Sequence, residues 1–432
     1  MVMKNVSFFF KVMSVCLLLT LSYSCFAGQG KYVGGDISLL LAYERHNSPY
    51  LDGEGKPIDD LVRWFIDECG WNTFRVRLFV SPDSLSDPSV CQDLKYVKQL
   101  GRRIKEAGAY FMLDYHYSDT WVDAGNIQAP RAWKNCTVAQ KRDSLYHYTC
   151  RTLQALIDEG AAPDMVQVGN EIMYGFMGIR VSPYEDAGNH WDDYLQVLKA
   201  GCQAVREKLP EAQIIIHTDR LSNVDYNRFY YGRLIENEID FDVIGLSYYP
   251  FWHGFIKDLK KGLDGINRDF PQKAVQIVEA GYPFQYWPTS GVNYNTSKTW
   301  AATPAGQYDC IHDIIAALSD YEQVEGLCYW CPEDAGNGDD TDWSTSNGTV
   351  ASTWTNRGLW DPNTSHTGHK PVTCSKGMAH YLFRDFLKES AAGVKPILSE
   401  GLPSSEKFIT ADGRFLIRHP GGIYDVCGQS VR

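Results

Sequence analysis

The stretch DMVQVGNEI, Asp164 to Ile172, is a short apolar, β-branched run that ends in Gly-Asn-Glu. It reads as a buried parallel strand whose C-terminal tip presents an amide and a carboxylate, Asn170 and Glu171. A second tip follows in AVQIVEAGYP, where the apolar run Ala274 to Val278 delivers Glu279. Carboxylates on the C-terminal tips of parallel strands are the hallmark of a (β/α)8 barrel, which gathers its chemistry at that end.

Outward from these two tips the chain alternates apolar runs with amphipathic ones. Strand candidates are Tyr32 to Ser38, Thr73 to Phe79, Ala109 to Asp114, Met165 to Gly169, Ile214 to His217, Val243 to Ser247, Ala274 to Val278 and Gly326 to Trp330. Helical periodicity lies in IDDLVRWFIDECG, LKYVKQLGRRIKEAG, KRDSLYHYTCRTLQALIDEG, WDDYLQVLKAGCQAVREKLP, YDCIHDIIAALSD and MAHYLFRDFLKES. Gly70, Gly108 and Gly160 stand where the first three should stop. Strict alternation predicts an α/β fold with a parallel sheet, and eight repeats predict closure into a TIM barrel over about residues 28–390. From residue 391 to 432, Gly and Pro turns around short apolar runs predict a small β-rich appendage.

Residues 1–27 carry Lys4 and Lys11 ahead of an apolar stretch that ends near Leu21 and is too short to span a membrane, so they read as an export signal. Cleavage after Ala27 and lipidation of Cys25 are both open, giving either a secreted protein or an outer-surface lipoprotein. The formal charge of -12 argues against nucleic acid and against polyanionic ligands. Aromatic content of 13%, with 12 Trp and 26 Tyr, suits a protein that stacks flat sugar faces, although a large core accounts for many of those rings. The 12 cysteines suit an oxidising compartment, where structural disulfides are expected. Cys328 and Cys331 form no metal or redox motif, because they lie in a strand and no second pair stands at zinc spacing. The segment after the eighth strand runs without periodicity to about Pro371 and carries Trp343, Trp354 and Trp360, which favours a functional loop.

Two strand-tip carboxylates are what glycoside hydrolysis needs, and in a retaining enzyme they stand about 5 Å apart, one as nucleophile and one as acid/base. Arg75 and Arg77 share one face of FRVRLF and are placed to keep a nucleophile ionised. A solvated loop acid is the plainer reading of either glutamate alone; the two together, one preceded by Asn, favour chemistry.

Four further stretches now carry a resemblance: GGDIS at Gly34 to Ser38, FRVRLFVSP at Phe74 to Pro82, LDYHYSDTW at Leu113 to Trp121, and FDVIGLSYYPFWHG at Phe241 to Gly254. With VGNE and VEAGYP, the chain from about Gly34 to Phe386 resembles the arabinogalactan endo-β-1,4-galactanases, glycoside hydrolase family 53. The resemblance implies that Glu171 is the acid/base, Glu279 the nucleophile and Asn170 the ligand of a sugar 2-hydroxyl. Arg75 or Arg77, with Tyr249, would orient the nucleophile. Asp114, His116, Trp121, His217 and Trp330 would line the subsite at the scissile bond, and Asp36, Ser247 and Tyr248 fall in matched stretches and join the substrate-binding set. Trp252 and the Trp343 to Trp360 group would be stacking platforms. His116 and His217 equally fit buried structural histidines, and Trp330 fits core packing.

The substrate implied is β-1,4-galactan and its oligosaccharides, cut by a monomer that requires no cofactor. Calcium-binding relatives carry an acidic segment after the seventh strand, whereas FQYWPTSGVNYNTSK here has no carboxylate, so calcium of that design is not expected. Glu333, Asp334, Asp339, Asp340 and Asp342 supply oxygen ligands without a recognisable spacing and read equally as a solvated acidic loop. Another endo-glycanase of the same barrel clan, a mannanase or glucanase, and a non-catalytic glycan-binding barrel are the alternatives.

Overall fold

The computed structural model describes residues 31–45, 49–83, 87, 89–183, 189–285, 299–335, 355–361 and 368–392, with four short strands beyond them. The expected export signal, Asp339, Asp340, Asp342, Trp343, Trp354 and most of the segment after the seventh strand lie outside the described residues. Among those described, no helix is long and apolar enough to cross a membrane.

All eight expected strands form, with ends shifted by no more than two residues. They are β1 (Tyr32–Asp36), β2 (Thr73–Leu78), β3 (Tyr110–Tyr115), β4 (Met165–Val168), β5 (Gln213–Thr218), β6 (Val243–Tyr248), β7 (Ala274–Ala280) and β8 (Val324–Trp330). Each pairs in parallel with its sequence neighbours, and β1 closes on β8. The helices in chain order are α1 (Leu40–Glu44), α2 (Leu61–Asp67), α3 (Leu94–Glu106), α4 (Val138–Asp158), α5 (Trp191–Lys208), α6 (Val224–Glu236), α7 (Pro250–His253), α8 (Ile256–Asp269), α9 (Pro304–Ser319) and α10 (Phe383–Ala392).

Local chemistry sets the helix ends. Asp60, Asp93 and Asn223 accept backbone N–H groups at the starts of α2, α3 and α6, and Thr137 with Gln140 forms a reciprocal capping box on α4. Gly70, Gly108 and Gly160 all take positive φ after α2, α3 and α4, as their stop positions require. Two full helices, α6 and α8, were not expected from periodicity. Gly262 and Gly265 depress the helical propensity of α8, yet both are buried against the segment that leads into α6.

Alternation along the strands divides the barrel wall. Phe74, Val76, Phe111, Leu113, Val166 and Ile216 face the helices, whereas Tyr32, Met112, Met165, Ile215, Val243 and Cys328 form a separate apolar plug inside the barrel. Arg75, Arg77, Asp114, Gln167 and His217 share the inward parity of that plug one or two steps nearer the strand tips. A polar layer is thereby stacked on an apolar floor.

The chain divides into two compact units, Met1–Glu389 and Ser390–Arg432. In the second, four strands at Glu406–Ile409, Phe415–His419, Gly422–Asp425 and Ser430–Val431 pair in sequence as an antiparallel sheet.

Candidate active site

Glu279 reaches the barrel interior by an irregularity. Leu246 pairs with Ile277 but Ser247 pairs with Glu279, so β7 bulges at Val278. Strict alternation would send Val278 inward and Glu279 toward the helices; the bulge brings both to the inner side. There Glu279 Oε1 meets Arg75 Nη2 at 3.0 Å, and Tyr249 Oη donates to Oε2 at 2.8 Å.

Glu171 is placed by a different device. It follows Gly169 (φ 93°) and adopts a left-handed conformation of its own, φ 47° and ψ 45°. The turn after it, Ile172–Tyr174, has its carbonyls held from the outer ring, because Tyr194 of α5 donates to Ile172 O and Tyr226 of α6 to Met173 O. Glu171 remains partly exposed, and its Oε1 accepts one hydrogen bond from Ser247 Oγ at 2.6 Å.

Burial pushes both carboxyls upward, but their partners separate them. Glu279 is raised to about 7 by burial, with the Arg75 guanidinium and the Tyr249 hydroxyl pulling it back down. Glu171 is raised well above the carboxylate range, first by burial and then by the charge of Glu279, with only the Ser247 hydroxyl opposing. The pair therefore keeps its proton on Glu171 and its charge on Glu279.

Arg75 is the centre of the polar layer. Its Nη1 binds Asp36 at 2.7 Å, and its Nη2 binds Asp114 at 2.9 Å and Asn170 Oδ1 at 2.8 Å. Its Nε reaches Gln167 Oε1 at 3.3 Å. Of the two arginines proposed to face the nucleophile, Arg75 does so and Arg77 does not. Arg77 Nη1 pairs with Asp36 at 3.3 Å, and its guanidinium lies 4.4 Å from the centre of the Trp121 ring. Being one inward step farther along β2, it serves the cleft wall.

His116 accepts the Val122 N–H at Nδ1 and faces Asp114 with Nε2 at 3.2 Å, which fixes its tautomer. Its ring and that of Trp330 pack edge-on to Trp121. Asn170 Nδ2 donates to Val122 O at 2.7 Å, leaving its second N–H uncommitted, while Oδ1 accepts from Arg75. His217 and Ser247 stand side by side, Nε2 to Oγ at 2.8 Å. Trp252, 53% exposed, sits edge-on to Tyr249 at the rim.

Two expected members fall elsewhere. Tyr248 faces the helices, opposite to Ser247, and its hydroxyl donates to Gly254 O at 3.0 Å. Trp360 is wholly buried among Tyr50, Trp64 and His380, so it packs the core and offers no platform. Two residues were missed. Gln167 links Arg75, Asp114 and His217, but a Gln within MVQV is indistinguishable in sequence from an unremarkable strand residue. Asp219, just past β5, is pushed up to about 6 by burial and adds its charge to the field at Glu171.

The cysteines and acids behave differently from expectation. All nine described cysteines are free thiols; Cys69, Cys202 and Cys310 are buried singly as small apolar side chains. Glu333 and Asp334 are buried and not a solvated loop: Glu333 Oε1 accepts the Leu39 N–H, and Asp334 accepts from the Tyr43 hydroxyl. Asp36, Cys331 and Glu333 bring ligand atoms within 4.8 Å of one another. Asp36 spends its oxygens on Arg75, Arg77 and the Ser38 N–H, so two guanidiniums already supply the positive charge that a cation would bring.

A closed parallel barrel whose mouth holds two differently charged carboxyls, ringed by histidine, tryptophan and amide donors, defines a (β/α)8 glycoside hydrolase. The glycosyl hydrolase family 53 model matches residues 32–369, and the chain belongs to that family. It is 29% identical over 308 residues to the endo-β-1,4-galactanase of Bacillus subtilis (strain 168), covering 69% of each chain. It is 27% identical over 333 residues to a probable arabinogalactan endo-β-1,4-galactanase A of Aspergillus fumigatus, covering 74% of this chain and 89% of that one. Among solved structures, the family 53 catalytic domain of Ignisphaera aggregans superposes with a TM-score of 0.71 at 26% identity, covering 83% of this chain and 97% of that one.

Proposed function

We propose that this glycoside hydrolase is an exported endo-β-1,4-galactanase that cuts β-1,4-galactan, as in pectic side chains, by a retaining double displacement. The family and the galactanase names of its relatives support the substrate. The observation that carries the mechanism is the unequal donor set of the two glutamates: a guanidinium and a phenol on Glu279, a single hydroxyl on Glu171. Glu279, charged, attacks the anomeric carbon while Glu171 protonates the departing oxygen. Glu171, now ionised, then takes a proton from water as that water releases the sugar from Glu279. The uncommitted N–H of Asn170 is available to the sugar 2-hydroxyl, and Trp121, His116 and Trp330 form a wall against which a sugar ring can lie. No cofactor enters either step.

The test is product analysis on linear β-1,4-galactan beside mannan, xylan, β-glucan and β-1,3-galactan, with proton NMR of the first product formed. We expect short β-anomeric oligomers from β-1,4-galactan alone, and loss of turnover with retained galactan binding in Glu279→Gln. An α-anomer as first product would overturn the retaining mechanism; cleavage of another polymer in preference would overturn the substrate.

A further inference from the structure

A continuous hydrogen-bond chain runs beneath the two glutamates and joins them. From Arg75, the residue paired with Glu279, Nε meets Gln167 Oε1 at 3.3 Å; Gln167 Nε2 meets His217 Nδ1 at 3.0 Å; His217 Nε2 meets Ser247 Oγ at 2.8 Å; and Ser247 Oγ meets Glu171 Oε1 at 2.6 Å. Gln167, His217 and Ser247 are buried.

The direction of every bond follows from its two ends. A guanidinium only donates, so the Gln167 oxygen faces Arg75 and its NH2 faces His217. A backbone N–H also only donates, and that of Glu171 points at the same His217 Nδ1 at 3.4 Å. Nδ1 is thus an acceptor and the proton of this imidazole sits on Nε2. The Gln167 NH2 has two hydrogens, and with one on Asp114 Oδ1 at 2.6 Å the other falls to Nδ1. Asn170 Oδ1 also lies 3.0 Å from Nδ1, but it accepts from Arg75, and its amide is oriented by the Val122 carbonyl. With Nε2–H donating to its oxygen, Ser247 turns its own hydrogen outward, to Glu171.

We propose that Gln167, His217 and Ser247 are positioning residues that form a one-way chain of donors from Arg75 to Glu171, holding Oε1 as a permanent acceptor and so confining the acid proton to Oε2. This rests on Glu171 being the acid/base. A carboxylic acid presents its proton on either oxygen; here one oxygen faces a hydrogen in both half-reactions, and only the other is open to carry the proton to the departing group. The chain is anchored on a group that cannot reverse, so its polarity survives each change in the charge of Glu171.

Ser247→Ala tests this with two substrates of one sugar, an aryl β-galactobioside with a poor leaving group and its dinitrophenyl counterpart, whose leaving group needs no proton. We expect kcat/KM on the poor leaving group to fall about tenfold or more beyond any fall on the dinitrophenyl compound. Loss of a donor to the ionised form raises the Glu171 pKa, so the basic limb of the pH profile should also move up by about half to one unit. Ser247→Thr, which keeps the hydroxyl, should restore both. Equal losses on the two substrates with an unmoved basic limb would leave Ser247 a merely structural residue and overturn the proposal. Nitrogen-15 NMR of His217 is an independent check: protonation at Nδ1 overturns the chain whatever the kinetics. Glu171→Ala, assayed on the same pair, separates the two ideas. If it discriminates between the leaving groups and Ser247→Ala does not, the relay fails alone; if Glu171→Ala itself does not discriminate, the acid/base assignment fails.

Discussion

Ser247 and Tyr249, two residues apart at the end of β6, each deliver a hydroxyl to a different glutamate. The Tyr249 hydroxyl favours the ionised form of Glu279, so its removal raises that pKa from about 7 and leaves less of the carboxylate at neutral pH. A hydrogen bond to a charged group contributes about 1.5–3 kcal/mol. Tyr249→Phe should therefore move the acidic limb of kcat/KM upward by about one to two pH units, and an unmoved acidic limb in a pH-rate series would rule out the pairing as a determinant of that ionisation. At this scale the sequence was legible wherever a strand tip announced itself. Asn170, Glu171, Glu279, Asp114 and His217 all stand in the polar layer at the barrel mouth. Reading failed where a face had to be chosen without a register. Tyr248 lies beside two inward residues in SYY and points the other way, and Gln167 is silent because one amide in an apolar strand carries no periodic signature.

α8 shows why an element can be hidden by its own packing. A Cβ on Gly262 would lie 2.2 Å from the carbonyl oxygen of Leu221, so this helix uses glycine to let backbone approach backbone. Gly232 of α6 meets nothing within 4 Å. The same substitution should therefore have opposite signs. Gly262→Ala should destabilise by about 1–3 kcal/mol through overpacking, whereas Gly232→Ala should stabilise by about 0.5–1 kcal/mol through helix propensity. Urea midpoints at constant m-value would measure both, and a stabilising Gly262→Ala would contradict the close approach. In α8 the glycines that lower helix propensity are the ones its close approach to Leu221 and Val224 requires, whereas Gly232 in α6 lowers it with no such contact. The bulge at Val278 is a further element that no pattern announced: AVQIVEA alternates plausibly, and the extra residue becomes visible only against β6.

At the scale of the molecule, strand count, parallel order and closure were all legible, because eight apolar runs separated by helical ones admit few other topologies. The seam was not. The segment Ala379–Phe386 returns to pack against α2 and Trp71, with His380 wholly buried between Trp64, Phe65 and Trp360 and neither ring nitrogen hydrogen-bonded. Burial pushes this imidazole down to about 3. The unfolded chain takes up that proton near pH 6.5, so between about 6.5 and 3 the unfolded state binds more protons. Stability is full above that window and falls as pH falls through it, by up to about 1.4 kcal/mol per unit. His380→Phe should flatten this part of the stability profile in denaturant titrations at pH 7, 5 and 4; a profile parallel to that of the parent would assign the acid sensitivity elsewhere.

The left-handed turn at Glu171 owes its shape to Tyr194 and Tyr226, which belong to helices on the outside of the barrel. The backbone that follows Glu171 is thus anchored outward, to the helix layer rather than to the strands. Loss of either hydroxyl is therefore expected to loosen the turn that carries Glu171 while leaving the strands beneath it in place.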